Sequence, residues 1–83
     1  MSASERFAIK ARDIVELVAD KHGVTVDDIF GKRKFQHLVE ARVEAISQVR
    51  RARPDWTLRR LAMFFERDHT TVIHALRKTG DHA

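Results

Sequence analysis

Residues 57–78 read TLRRLAMFFERDHTTVIHALRK, and this stretch predicts two short helices. Thr57 and Asp68 are residue types that favour the N-cap of a helix, and Gly80 is a suitable C-terminal stop. Glu66 and Arg67 predict a tight turn between the two helices. The expected inward-facing residues follow helical spacing: Leu58, Leu61, Ala62 and Phe65 in the first helix, and Val72, Ala75 and Leu76 in the second. Two short helices joined by a tight turn predict a helix-turn-helix unit.

The first thirty residues predict two more helical segments. Apolar residues recur at helical spacing from Ala8 to His22, and Gly23 is the expected end of that helix. Residues 25–28 have the form of a capping box in which Asp28 replaces the usual Glu or Gln, so we expect a short helical turn after it. The predicted buried face of the first helix contains Ala11, Ile14, Val15, Val18 and Ala19.

The middle of the chain predicts a charged loop and then a long helix. Residues 31–36 concentrate charge without an apolar stripe, which indicates a loop. Helical spacing returns at about His37 and continues to Arg53, where Pro54 prevents further helix. The predicted inner face contains Leu38, Ala41, Ala45, Ile46 and Val49, with Arg42, Arg50 and Arg53 expected on the outer side. The predicted fold class is therefore all-α, a small helical bundle that contains a helix-turn-helix.

Length and composition exclude several classes of protein. A chain of 83 residues forms one small domain over residues 1–83, and the lack of cysteine excludes disulfides and thiolate metal sites. No stretch reaches the roughly 20 apolar residues of a membrane span, and residues 1–10 lack the apolar core of a signal peptide. We therefore expect a cytoplasmic protein without a cofactor or a membrane partner.

Basic residues are concentrated in the middle of the chain. Residues 31–53 carry seven basic and two acidic side chains, whereas residues 1–30 carry four basic and six acidic ones. Such a segment on a chain of net charge +4 is typical of a protein that binds a polyanion. A solvated helix face would give the same pattern, so charge alone leaves both explanations open.

Four segments together resemble the C-terminal DNA-binding domain of DnaA, the bacterial replication initiator. They are the Gly31–Lys34 loop, the Ala41-Arg42 pair, the Leu58–Phe65 helix and the block RDHTTVxHA that starts at Arg67. The resemblance covers about residues 12–78. It implies sequence-specific binding of double-stranded DNA by one monomer per site. A transcriptional regulator or a modulator of replication initiation at DnaA-box-like sites is the expected role, associated with the nucleoid. Full-length replication initiator and other regulators are candidate partners.

The resemblance also implies a division of labour among residues. It places Asp68, His69 and Thr70 on base edges in the major groove, where these side chains can pair with cytosine N4, a purine acceptor and a thymine methyl group. Lys34 of the loop occupies the position of a minor-groove arginine. The implied contacts to the DNA backbone are Arg33, Arg42, Arg50, Leu58, Arg59, Arg67 and Thr71.

The sequence departs from the family pattern at four points. Lys34 replaces an arginine, and an ammonium suits a narrow minor groove less well than a guanidinium does. Arg59 stands where a proline is common, and the single Glu66 replaces a pair of glycines. The ATP-binding module of the family has no counterpart in this sequence. These differences predict a changed docking angle and weaker minor-groove readout.

A protein-interaction module that keeps the fold without specific DNA binding is the main alternative. The sequence lacks the aromatic platform motif of RNA-binding modules. The aromatic residues are instead expected in the core: Trp56, Phe64, Phe7, Phe30, Phe35 and Phe65. His69 and His74 are five residues apart, the wrong spacing for a metal site on one helix face. No nucleophile and base occur in a supporting context, so we predict that the chain is not an enzyme.

Overall fold

The computed structural model describes residues 10–80, which contain five helices and no strand. They are α1 (Ala11–His22), α2 (Val26–Phe30), α3 (Gln36–Ala52), α4 (Leu58–Phe65) and α5 (His69–Lys78). The all-α prediction is confirmed. The predicted start of the first helix at Ala8 lies outside the described residues, and Lys10 is the non-helical residue that precedes α1.

The helix ends follow the local chemistry of the sequence. The Thr25 hydroxyl accepts from the backbone N–H of Asp28, whose carboxylate accepts from the Thr25 N–H, so the predicted capping box is present. The Thr57 hydroxyl accepts from the N–H of Arg60 at the start of α4. Gly23 ends α1 in the left-handed conformation, at φ 68°, which glycine adopts at little cost.

The core is formed by the predicted apolar faces. α3 packs against all four other helices, and α4 and α5 pack against each other as a helix-turn-helix pair. Every predicted inward residue of α1, α3 and α5 is buried; in α4, Leu58 is only partly buried. None of the helices in residues 10–80 is long and apolar enough to cross a membrane.

The aromatic residues separate into core and surface. Phe65 is fully buried, Trp56 is nearly so, and Phe30 and Phe64 pack against the core. The prediction that Phe35 is a core residue is wrong, because its side chain is 59% exposed. Phe35 precedes α3 at the end of the charged loop, where its ring stacks on His37 instead of packing inward. Phe7 lies outside the described residues.

Candidate nucleic-acid interface

The first turn of α5 is polar and exposed. Asp68, His69 and Thr70 are all exposed, with Asp68 at the N-cap position. His74 and Arg77 are also exposed, four and seven residues after Thr70, which places them on the same face of the helix. His74 and Arg77 were not among the predicted site residues, although their spacing from Thr70 predicts a shared helix face. α5 thus presents a continuous polar surface from its N-terminus to its last turn.

The side chain of Asp68 is oriented by Thr71. The Thr71 hydroxyl donates to Asp68 Oδ1 at 2.9 Å, and this hydrogen bond lowers the pKa of the Asp68 carboxyl below its ordinary value. Asp68 occupies the N-cap position without a full side-chain hydrogen bond to a first-turn N–H, although the Thr71 backbone N–H also helps to lower the pKa of its carboxyl. The first N–H groups of α5 remain available at the positive end of the helix dipole.

The charged loop of residues 31–35, called the basic loop below, lies next to α5. Lys32, Arg33 and Lys34 are exposed, and Lys32 Nζ donates to the Glu66 carbonyl at 3.4 Å. A groove of about 600 Å³ separates the loop from α5. Its polar and charged lining is formed by Lys32, Lys34, Arg42, Glu66, Arg67, Asp68, Thr71, His74 and Lys78. The fold therefore brings the predicted loop and the predicted helix to the two sides of one groove.

Arg42 occupies a different position from the one predicted. Its side chain is 8% exposed, and Nε donates to the Ile29 carbonyl at 2.8 Å. Nη2 donates to the carbonyls of Asp28, at 3.0 Å, and Arg33, at 3.1 Å. Burial and the nearby Arg67 lower the pKa of the guanidinium. The prediction that Arg42 lies on the outer side of α3 is therefore wrong, because the side chain is directed inward and fixes the backbone of α2 and the loop. Its predicted phosphate contact stays a prediction.

Arg67 also binds the protein's own backbone. Its Nη1 donates to the Phe30 carbonyl and to the Glu66 carbonyl, each at 3.3 Å, and Nη2 donates to the Gly31 carbonyl. The side chain is half-buried. Arg67 thus bridges the helix-turn-helix turn and the basic loop, and its predicted contact with the DNA backbone stays a prediction.

The remaining predicted backbone contacts lie around α4. Arg50 is half-buried, and its Nη1 donates to the Trp56 carbonyl at 2.7 Å and to the Pro54 carbonyl at 3.4 Å. Arg59 is exposed in the first turn of α4. Leu58 is the first residue of that helix, where a backbone N–H has no partner within the helix.

Trp56 does not offer a free stacking surface. The guanidinium of Arg60 lies over its ring at 4.6 Å from the centroid, and that of Arg53 lies at 5.6 Å. The side chain is also nearly buried. Arg53 and Arg60 therefore act as cation–π partners of the indole, and a nucleic-acid base has no free ring face to stack on. Among residues 10–80, no group of three or more His, Asp or Glu side chains is arranged to hold a metal ion.

Comparison with known proteins identifies this arrangement. The sequence model described as the bacterial DnaA protein helix-turn-helix matches residues 11–79. The chain belongs to the bacterial DnaA helix-turn-helix family. Membership in this family implies DNA binding, and it agrees with the prediction of a binding module that is not an enzyme.

Several curated relatives are chromosomal replication initiator proteins DnaA. The protein from Aquifex aeolicus is 38% identical over 72 residues, which cover 87% of this chain and 18% of the relative. The one from Oenococcus oeni is 32% identical over 82 residues, or 98% of this chain and 18% of the relative. This DnaA-type chain therefore spans less than a fifth of these relatives. No solved structure gave a significant match.

Proposed function

We propose that this DnaA-type domain binds double-stranded DNA sequence-specifically, with α5 in the major groove and the basic loop in the adjacent minor groove. The observation that carries the proposal is the placement of two exposed elements on one side of the molecule, the polar first turn of α5 and the loop cations. A helix in the major groove can read every base pair, whereas cations in a minor groove respond mainly to its width and potential.

The proposed base readers are three residues at the start of α5. The Asp68 carboxylate can accept from cytosine N4, His69 can donate to a purine acceptor, and the Thr70 methyl can meet a thymine methyl. Thr71 holds Asp68 through a hydroxyl hydrogen bond, which reduces the freedom that the aspartate loses on binding. Lys34 is the proposed minor-groove residue.

The proposed DNA-backbone contacts surround these readers. The groove between the loop and α5 suits the sugar-phosphate strand that separates the two DNA grooves, because cations line it on both sides. Arg33 and Arg59 are exposed cations for neighbouring phosphates, and the Leu58 N–H and the N–H groups beside Thr71 are donors at helix N-termini. Arg50 can add a contact through the part of its guanidinium that does not bind Trp56.

The biological role that this binding supports is transcriptional regulation, or modulation of replication initiation at DnaA-box-like sites. One monomer per asymmetric site, a cytoplasmic, nucleoid-associated location and interplay with full-length replication initiator are parts of the same proposal. A protein-interaction module that keeps the fold is the alternative, but it gives no reason for exposed cations along the loop beside a polar helix start.

Two variants test the division between base reading and backbone binding. His69→Ala should weaken binding to a DnaA-box duplex by about 1–3 kcal/mol and relax the preference at one base pair. Arg59→Ala should weaken binding to box and scrambled duplexes alike, and should reduce the salt dependence by about one counterion. Identical losses for the two variants on both duplexes would contradict the assignment.

A further inference from the structure

Two arginines bind backbone carbonyls at the end of α2 and in the basic loop. Arg42 of α3 binds the carbonyls of Asp28, Ile29 and Arg33, and Arg67 binds those of Phe30 and Gly31. The last carbonyls of a helix lack partners within it and carry partial negative charge, so cationic donors are well matched to the end of α2. The loop is therefore held by side chains from two other parts of the fold.

Arg67 differs from Arg42 because it belongs to the turn that leads directly into α5. Its backbone N–H donates to the Ala62 carbonyl at 2.9 Å, within the turn that leads from α4 to α5. Its guanidinium reaches a loop 36 residues earlier in the chain. Since Arg67 directly precedes the Asp68 N-cap, any movement of the loop relative to α5 must break or stretch these hydrogen bonds.

The chemistry of the bridge favours arginine. A planar guanidinium presents several N–H donors in a fixed geometry, so it can hold two neighbouring carbonyls at once. A lysine ammonium in the same place is a single, strongly hydrated point donor. Lys32 provides a second, weaker link in the same direction, through its 3.4 Å contact with the Glu66 carbonyl.

We propose that Arg67 is a positioning residue that couples the basic loop to α5, so that both elements read one duplex in a fixed register. This inference rests on the proposed DNA binding. Arg67 contributes to affinity by holding Lys34 at the correct distance from α5, without direct contact with a phosphate. The contribution of Lys34 to binding consequently depends on Arg67.

A double-mutant cycle tests this dependence. The affinities of wild type, Arg67→Gln, Lys34→Ala and the double variant are measured by fluorescence anisotropy on a DnaA-box duplex. We expect each single change to weaken binding by about three- to tenfold, and the double variant to match Arg67→Gln within about twofold. A double loss equal to the product of the single losses would overturn the coupling.

Arg59 provides the matched control, because it is an exposed cation at the start of α4. The cycle between Arg59→Gln and Lys34→Ala should be additive. In the free protein, NMR shifts of residues 31–34 should move in Arg67→Gln and stay unchanged in Arg59→Gln. Unmoved loop shifts in Arg67→Gln would also overturn the inference. If that variant does not fold, Arg67→Lys enters the same cycle with the same two criteria.

Failure of the coupling can be distinguished from failure of the proposed function. Wild-type protein that binds the box duplex no better than a scrambled duplex would overturn specific DNA binding, and with it the coupling. Wild-type protein that prefers the box duplex while the cycle is additive would overturn the coupling alone.

Discussion

The structure predicts that the main role of Arg42 is to stabilise the fold. Arg42→Ala removes three hydrogen bonds from a buried cation to backbone carbonyls. Hydrogen bonds to charged groups contribute about 1.5–3 kcal/mol each, which gives an upper figure of roughly 5–9 kcal/mol. Asp28 and Arg33 are not buried, so water can replace part of this loss. We therefore expect about 3–4 kcal/mol, which is a large part of the stability of a domain this size.

Thermal unfolding followed by circular dichroism measures this effect. For a domain of this length, about 1 kcal/mol corresponds to a Tm change of roughly 4–8 °C, so Arg42→Ala should lower Tm by more than about 10 °C. Arg33→Ala is the control, because it removes an exposed guanidinium and keeps the carbonyl that Arg42 binds. If both variants melted within about 3 °C of wild type, the bracing role of Arg42 would be refuted.

Three further predictions concern stability. Glu66→Gly should stabilise the fold by about 0.5–1 kcal/mol, because Glu66 has φ 55° and the strain that glycine relieves exceeds the backbone entropy that it loses on folding. Glu66→Ala keeps the strain and is the control. Equal melting temperatures for the two variants would contradict the prediction. Phe65→Ala should lower the free energy of unfolding, measured in urea, by about 3–5 kcal/mol, and Phe35→Ala should lower it by less than about 0.5 kcal/mol. Similar losses for the two variants would place Phe35 in the core. A hydrogen bond from Lys21 lowers the pKa of Glu44 below its ordinary value of 4.5, so its stabilisation is complete above that value and is lost as pH falls through the lowered pKa. Glu44→Gln should flatten the acid decline of Tm, and an unchanged decline would argue against the pair.

Much of the fold was predictable because the relevant signals are local. Helical spacing identified the buried faces of α1, α3 and α5, and the Thr25 capping box and Thr57 fixed two helix starts. Pro54 and Gly23 marked two ends. These residues act within a few positions of themselves, so the sequence contains what is needed to interpret them.

At Arg42, the helical spacing predicts a buried residue, whereas the charge of the side chain predicts an exposed one. It lies four residues after Leu38 and four before Ile46, which is the spacing of the buried stripe of α3. Its charge favoured the outer face, since arginine is rarely buried without partners. The partners are backbone carbonyls of another segment, and carbonyls have no sequence signature.

Arg67 and Phe35 illustrate what spacing could not reveal. The carbonyls that Arg67 binds lie 36 and 37 residues earlier, so no helix or turn pattern predicts the pairing. Phe35 is apolar and still exposed, because it occupies the extended N-cap position of α3, where its ring stacks on His37. The Arg67 pairing depends on how the turn before α5 meets the end of α2 and the loop in three dimensions.

Sequence-specific DNA binding is tested by fluorescence anisotropy of wild-type protein on a DnaA-box duplex and a scrambled duplex across a salt series. We predict tighter binding to the box duplex at every salt concentration. For both duplexes, the logarithm of the binding constant should fall linearly with the logarithm of the salt concentration. Equal affinity for the two duplexes throughout the series would contradict sequence-specific binding and favour the protein-interaction module.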